Sequence, residues 1–253
     1  MDFKSSLFNR HWKIILAIVL VALSVVLYAF HYFLFHDAHH IAIYFVGDLA
    51  FIPIEVLVVT LVIDQILEAR ERRQKMEKLN MVIGAFFSTL GTPLLRLLSS
   101  HDPGLIEIRK DLGVRDTWEE KDFSRLRLCL YEHECSVAIS SLDLHGLQHL
   151  LVSHEEFLLR LLENPMILEH ESFAALIQAI FHLTEELRAR PDKGLLPATD
   201  VMHISGDIRR VYSLLALEWI EYMRYEHRHY PYLFSLSMRR NPFDENADVI
   251  IRK

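Results

Sequence analysis

The chain has 253 residues, 51% of them hydrophobic, a formal net charge of −7, eight glycines and eight prolines. That is too apolar for a disordered chain and too poor in turn formers for an all-β fold. The acidic balance excludes the broad basic face of a nucleic-acid binder, so no nucleic acid is expected as a partner.

Residues 1–13 carry Lys4, Arg10 and Lys13 and read as a basic, cytoplasmic N-terminus. Residues 14–35 follow without a charge, and 22 residues at about 1.5 Å each cross a hydrocarbon core of about 30 Å. A signal peptide is the competing reading. Its apolar core is shorter, about 7–15 residues, and the bulky Tyr32-Phe33-Leu34-Phe35 end offers no small-residue cleavage site. The segment is expected to be a retained span.

His36-Asp37-Ala38-His39-His40 is short and polar, so it can join only antiparallel neighbours. The second span, residues 41–63, is apolar except for Asp48 and Glu55. An acid near the bilayer centre costs about 2.5–3.5 kcal/mol even on lenient insertion scales, and marks a functional position. Seven residues apart, the two acids share one helical face, with Tyr44 on the same stripe. Asp48 lies at the depth of His31 and Tyr28 of the first span, whereas Glu55 has only Ser24 near its depth.

Two helices cannot enclose such a stripe. Several hairpins are therefore expected to surround it, as a homo-oligomer with an acidic ring that passes inorganic cations. His36, Asp37, His39 and His40 would form the external mouth. The alternative is that both acids are protonated and hydrogen-bond across helix interfaces, with the hairpin only anchoring a module that binds a cytosolic protein.

Basic residues flank both spans on one side, at Lys4, Arg10 and Lys13 and at Arg70, Arg72, Arg73, Lys75 and Lys78, while the connection has none. By the positive-inside rule both termini face the cytoplasm, in a bacterial-type inner membrane. The second cluster lies on a stalk of strong helix formers, where Glu68–Arg72 and Glu71–Lys75 have favourable i,i+4 spacing. Its bases suit anionic lipid at the inner leaflet. Residues 79–98 hold a shorter apolar run, interrupted by Gly84, Gly91 and Pro93, and are expected as a buried or membrane-surface helix rather than a third span. Residues 64–100 thus form stalk and juxtamembrane helices.

Ser99–Gly104 reads as a loop, and residues 101–253 as a cytosolic bundle of four or five helices. Helical periodicity runs over 118–139, 147–162, 165–190 and 200–229, the last apolar on much of its circumference. Cys129 and Cys135 are expected as free thiols. The aromatic tail Tyr230 to Phe243 is expected to fold back on the bundle or to meet a neighbouring subunit.

No P-loop, G-x-S-x-G or GxGxxG occurs, and no enzyme activity or cofactor is expected. No metal site is assigned: His145 and His149 lie one helical turn apart, but no third ligand accompanies them. Arg224-Tyr225-Glu226-His227-Arg228-His229 resembles, over six residues, the R-x4-H motif of HEPN-type ribonucleases, which are also all-α. That resemblance implies an RNA-cleaving pair, Arg224 and His229, at a dimer interface. Tyr225 departs from the polar residue usual after the arginine. Taken together, the sequence predicts an all-α protein: a two-span transmembrane helical hairpin (14–63) and a cytosolic α-helical bundle.

Overall fold

Helix-forming composition and the scarcity of glycine and proline leave no strand among the described residues. The computed structural model describes residues 3–108, 112–133, 135–190 and 196–250. The chain divides into two units, Met1–Glu71 and Arg72–Lys253.

The first unit holds α1 (Phe3–Phe35) and most of α2 (Ala38–Phe86). Only His36 and Asp37 separate the helices, so the expected five-residue connection is corrected to two: His39 and His40 belong to the first turn of α2. Asp37 explains the early start. Its Oδ1 accepts from the backbone N–H of His40 at 3.0 Å, filling an otherwise orphaned helical donor. That hydrogen bond holds the Asp37 carboxyl below its usual range. His36 takes the left-handed conformation, φ 53°, that reverses the chain.

Both helices are long and apolar enough to cross a membrane, and none of either apolar stretch is buried. Pro53 lies inside α2 without ending it. Having no N–H, it leaves the carbonyl of Leu49 without its helical donor.

The second unit opens within α2. Leu79, Ile83 and Phe86 are buried, so its core begins at Leu79 rather than at His101. A π-helical turn, Phe87–Gly91, then α3 (Thr92–Ser99) follow without a break in direction. Pro93 cannot donate, and the Thr92 N–H reaches back to the Phe87 carbonyl. Phe86 and Phe87 are thereby both buried: Phe86 meets Phe173 edge to face at 5.3 Å, and Phe87 stacks on Tyr222 at 4.7 Å.

The remaining helices are α4 (Leu105–Ile108), α5 (Glu120–Glu132), α6 (Leu144–Ser153), α7 (Glu155–Leu162), α8 (Pro165–Leu168), α9 (Glu171–Ala189), α10 (Ala198–His229) and α11 (Pro231–Arg239). The expected helix over 118–139 ends at Glu132, and Val137 is buried from irregular chain. The one expected over 147–162 is two, parted at His154, whose ring nitrogen bonds the Leu150 carbonyl. Asn164 caps α8, with Pro165 at its first position.

α10 is the axis of this unit. Ile204, Ile208, Val211, Tyr212, Leu215, Trp219 and Met223 recur at helical spacing and are at most 1% exposed. α9 packs Phe173, Leu176, Ile177, Ile180, Leu183 and Leu187 into the same core. The tail folds back as expected. Phe234 and Phe243 are buried, and Asn241 donates to the Leu112 carbonyl at 2.8 Å while accepting from the Phe243 N–H. Cys129 and Cys135 form no disulfide among the described residues, and burial pushes the Cys135 thiol up.

Two consequences can be measured. A Cβ on Gly91 would lie 2.7 Å from ring atoms of Phe86 and Phe87. Gly91→Ala is expected to cost about 1–3 kcal/mol of stability, read as a lowered midpoint in thermal unfolding. Glu226 is buried against Tyr222, whose hydroxyl donates to it at 2.6 Å, and burial pushes its carboxyl up. Stability from this group is complete below the ordinary glutamate range and is lost as pH rises through the raised value. Glu226→Gln is expected to flatten that loss and to raise the midpoint at pH 8, by about 2–4 °C for each kcal/mol gained.

Candidate functional site

Six polar side chains of the hairpin converge on one groove. It has a volume of about 540 Å³ and is lined by Ser24, Tyr28 and His31 of α1, and by His40, Tyr44 and Asp48 of α2, among leucines 20, 23 and 27 and Ile41. The spacing His40, Tyr44, Asp48 puts one polar group on each successive turn of the same helix face. The rings form a ladder: His31 and His40 lie nearly parallel at 5.8 Å, and His40 meets Tyr44 at 4.7 Å. His31 Nδ1 is buried without a hydrogen-bond partner.

Tyr44 and Asp48 therefore share a site with His31 and Tyr28. His40, expected at an external mouth, belongs to this groove through its stacking on His31. His36, Asp37 and His39 remain exposed at the turn, with Asp37 committed to capping α2. Glu55 does not line the groove and is exposed on α2. Among the described residues neither Asp48 nor Glu55 has an ion pair or a hydrogen bond.

The basic stretch of α2 is exposed from Arg70 through Lys78, including Arg72, Arg73 and Lys75, Glu77 alone being partly covered. The expected pairs Glu68–Arg72 and Glu71–Lys75 do not form among the described residues. Arg73 instead bonds Glu77 at 3.0 Å, and Lys75 lies 3.8 Å from Glu169. Such exposed pairs contribute at most about 1 kcal/mol, so the cluster keeps its charge available to an anionic surface.

In the second unit the HEPN-like pair is engaged within the chain. Arg224 bonds Glu120 at 3.1 Å and Glu221 at 2.8 Å, and His229 bonds the Tyr225 carbonyl while stacking on that ring at 4.3 Å. His145 and His149 are exposed on α6 and belong to no ligand cluster among the described residues.

An ionic group between α9 and α10 is not expected from the sequence. Arg190 donates to both oxygens of Asp200 at 2.6 and 2.7 Å, and to Glu186 at 2.5 Å. It holds the carboxyls of both acids below their usual range. Beside it stand His182, His203 and Asp207. The signal available in the sequence is two short patterns, His182-x3-Glu186 and His203-x3-Asp207, each putting two ligand types on one helical face. They lie on different helices, so only the tertiary fold joins them.

Comparison with known proteins matches the same two parts. The model described as "MJ1433, N-terminal helical domain" matches residues 6–67, and "Uncharacterized protein MJ1433, C-terminal helical domain" matches residues 75–239. The junction between them brackets the structural division at Glu71. No solved structure matches the chain. "Uncharacterized protein MJ1433" of Methanocaldococcus jannaschii is 43% identical over 242 residues, covering 96% of this chain and 97% of the relative. The chain belongs to the MJ1433 family, with both of its helical domains present.

Proposed function

We propose that this protein is a multi-pass membrane protein whose α1–α2 hairpin crosses the cell's inner membrane twice, with both termini cytoplasmic. Copies assemble around the carboxylate-bearing face of α2 into a cation-conducting pore. The unpartnered state of Asp48 and Glu55 on an exposed apolar hairpin carries this reading. Some 50 apolar and near-apolar residues facing water would be insoluble, whereas in lipid the same surface is satisfied. The acids then become the costly groups, and other copies of the hairpin, with water between them, relieve that cost.

In this arrangement Glu55 forms a carboxylate ring near mid-membrane and attracts cations. Asp48, Tyr44 and His31 form a second polar level. The basic stretch Arg70 to Lys78 meets anionic headgroups, and the helical unit lies in the cytoplasm, where it assembles or gates the pore.

Oligomeric mass in lipid nanodiscs is the first test, and four or more subunits are expected. Glu55→Gln should then lower cation over anion selectivity in proteoliposome flux by about tenfold while leaving assembly intact, a loss of about 1.4 kcal/mol of discrimination. Unchanged selectivity in an active preparation removes Glu55 from the permeation path.

A second reading is supported by the separate core of residues 72–253. In it the hairpin tethers a module that binds a cytosolic protein. It predicts a monomer or dimer, no flux, and a Glu55→Leu variant at least as stable as the native chain.

A further inference from the structure

Beside the Arg190 ion pairs, His182, His203 and Asp207 of the group between α9 and α10 are spaced as ligands rather than as hydrogen-bonded partners. Asp207 Oδ2 lies 3.6 Å from His182 Nε2 and 3.5 Å from His203 Nε2. Glu186 stands beside this trio, with Oε1 3.8 Å from His182 Nε2 and Oε2, which accepts from Arg190 at 2.5 Å, 3.6 Å from His203 Nε2. A charge-assisted hydrogen bond would draw such atoms to about 2.7–2.9 Å. Arg190, on the same wall, does close onto its carboxylates at 2.5–2.7 Å, so tight pairing is open to this region.

A tetrahedral ion with bonds of about 2.0–2.1 Å to nitrogen and oxygen sets its ligand atoms about 3.3 Å apart. The spacings here exceed that by a few tenths of an ångström. The ligand atoms of His182, His203 and Asp207 all lie within 4.8 Å of one another.

The second, independent observation is Asp207 itself. It is 5% exposed, and its Oδ2 is buried without a hydrogen-bond partner, aimed between the two imidazoles. A buried carboxylate oxygen left unsatisfied is costly, and a cation is the natural partner. Its other oxygen lies 3.5 Å from the exposed Arg210. The imidazoles are half-exposed, giving an ion a path from solvent.

We propose that His182, His203 and Asp207, with the fourth position open to water, bind a divalent first-row transition ion of the zinc type. Two imidazole nitrogens exclude magnesium and calcium as the preferred occupant, and the absence of thiolate argues against copper(I). The ion joins His182 of α9 to His203 and Asp207 of α10, the axis of the second unit. It therefore acts as a removable staple on that unit, independently of whether the hairpin conducts ions.

The test uses the untagged full-length chain in nanodiscs, stripped with chelator and titrated with zinc chloride alone. One equivalent per chain is expected, with a raised unfolding midpoint. Loss of an outer-sphere partner alone typically costs about 10–100-fold in metal affinity, so His203→Ala and Asp207→Asn should each weaken zinc by about 100-fold or more. His145→Ala should not change it. The stripped variants should unfold within a few degrees of the stripped native chain. Cobalt(II) in the native chain should give the intense visible bands of a four-coordinate site with nitrogen and oxygen ligands, a reading that needs no variant to fold. Substoichiometric zinc, zinc affinity unmoved by both substitutions, or a weak six-coordinate cobalt spectrum would overturn the proposal.

Discussion

A carboxylate in hydrocarbon must be protonated, hydrated or paired, and the hairpin offers Asp48 and Glu55 no ionic partner of their own. Much else in the first unit follows from where those acids sit. Asp48 falls where His31, Tyr28 and Ser24 of α1 and Tyr44 of α2 make a polar groove, so one acid has neighbours that can share hydrogen bonds through water or a changed rotamer. Glu55 has none of these. A requirement that one chain cannot satisfy can be met by several, and the proposal of self-association rests on that.

The second unit is governed by a different constraint. α10 turns one broad apolar face to the core, and the acids buried with that face, Asp207, Glu218 and Glu226, are the informative ones. Glu226 is held by a tyrosine hydroxyl. Asp207 faces two histidines at distances too long for hydrogen bonds.

Long elements were readable from sequence, and their ends were not. Both long apolar helices, the apolar face of α10 and the buried positions within residues 79–98 follow from hydropathy and period alone. The break at His154 was hidden because no glycine or proline marks it: a histidine ring bonds the carbonyl one turn back and stops the helix by side-chain chemistry. The end of α5 was hidden because Val137 is buried at a spacing that mimics continued helix. Asp48 was legible because an acid among valines and isoleucines stands out in one dimension. The His182–Asp207 group was not, since its members are separated by 25 positions and joined only by the packing of α9 on α10.

Pro53 adds a feature that charge alone does not describe. It stands between Asp48 and Glu55, and the carbonyl it releases belongs to Leu49, the residue next to Asp48. A backbone oxygen without a donor is a dipole with its negative end free, and it cannot be neutralised by a proton as a carboxylate can. Within one turn α2 thus carries a side-chain acceptor and a backbone one. Replacing Asp48 by a neutral residue would remove the first and leave the second, so that level of the hairpin would keep part of its electronegative character.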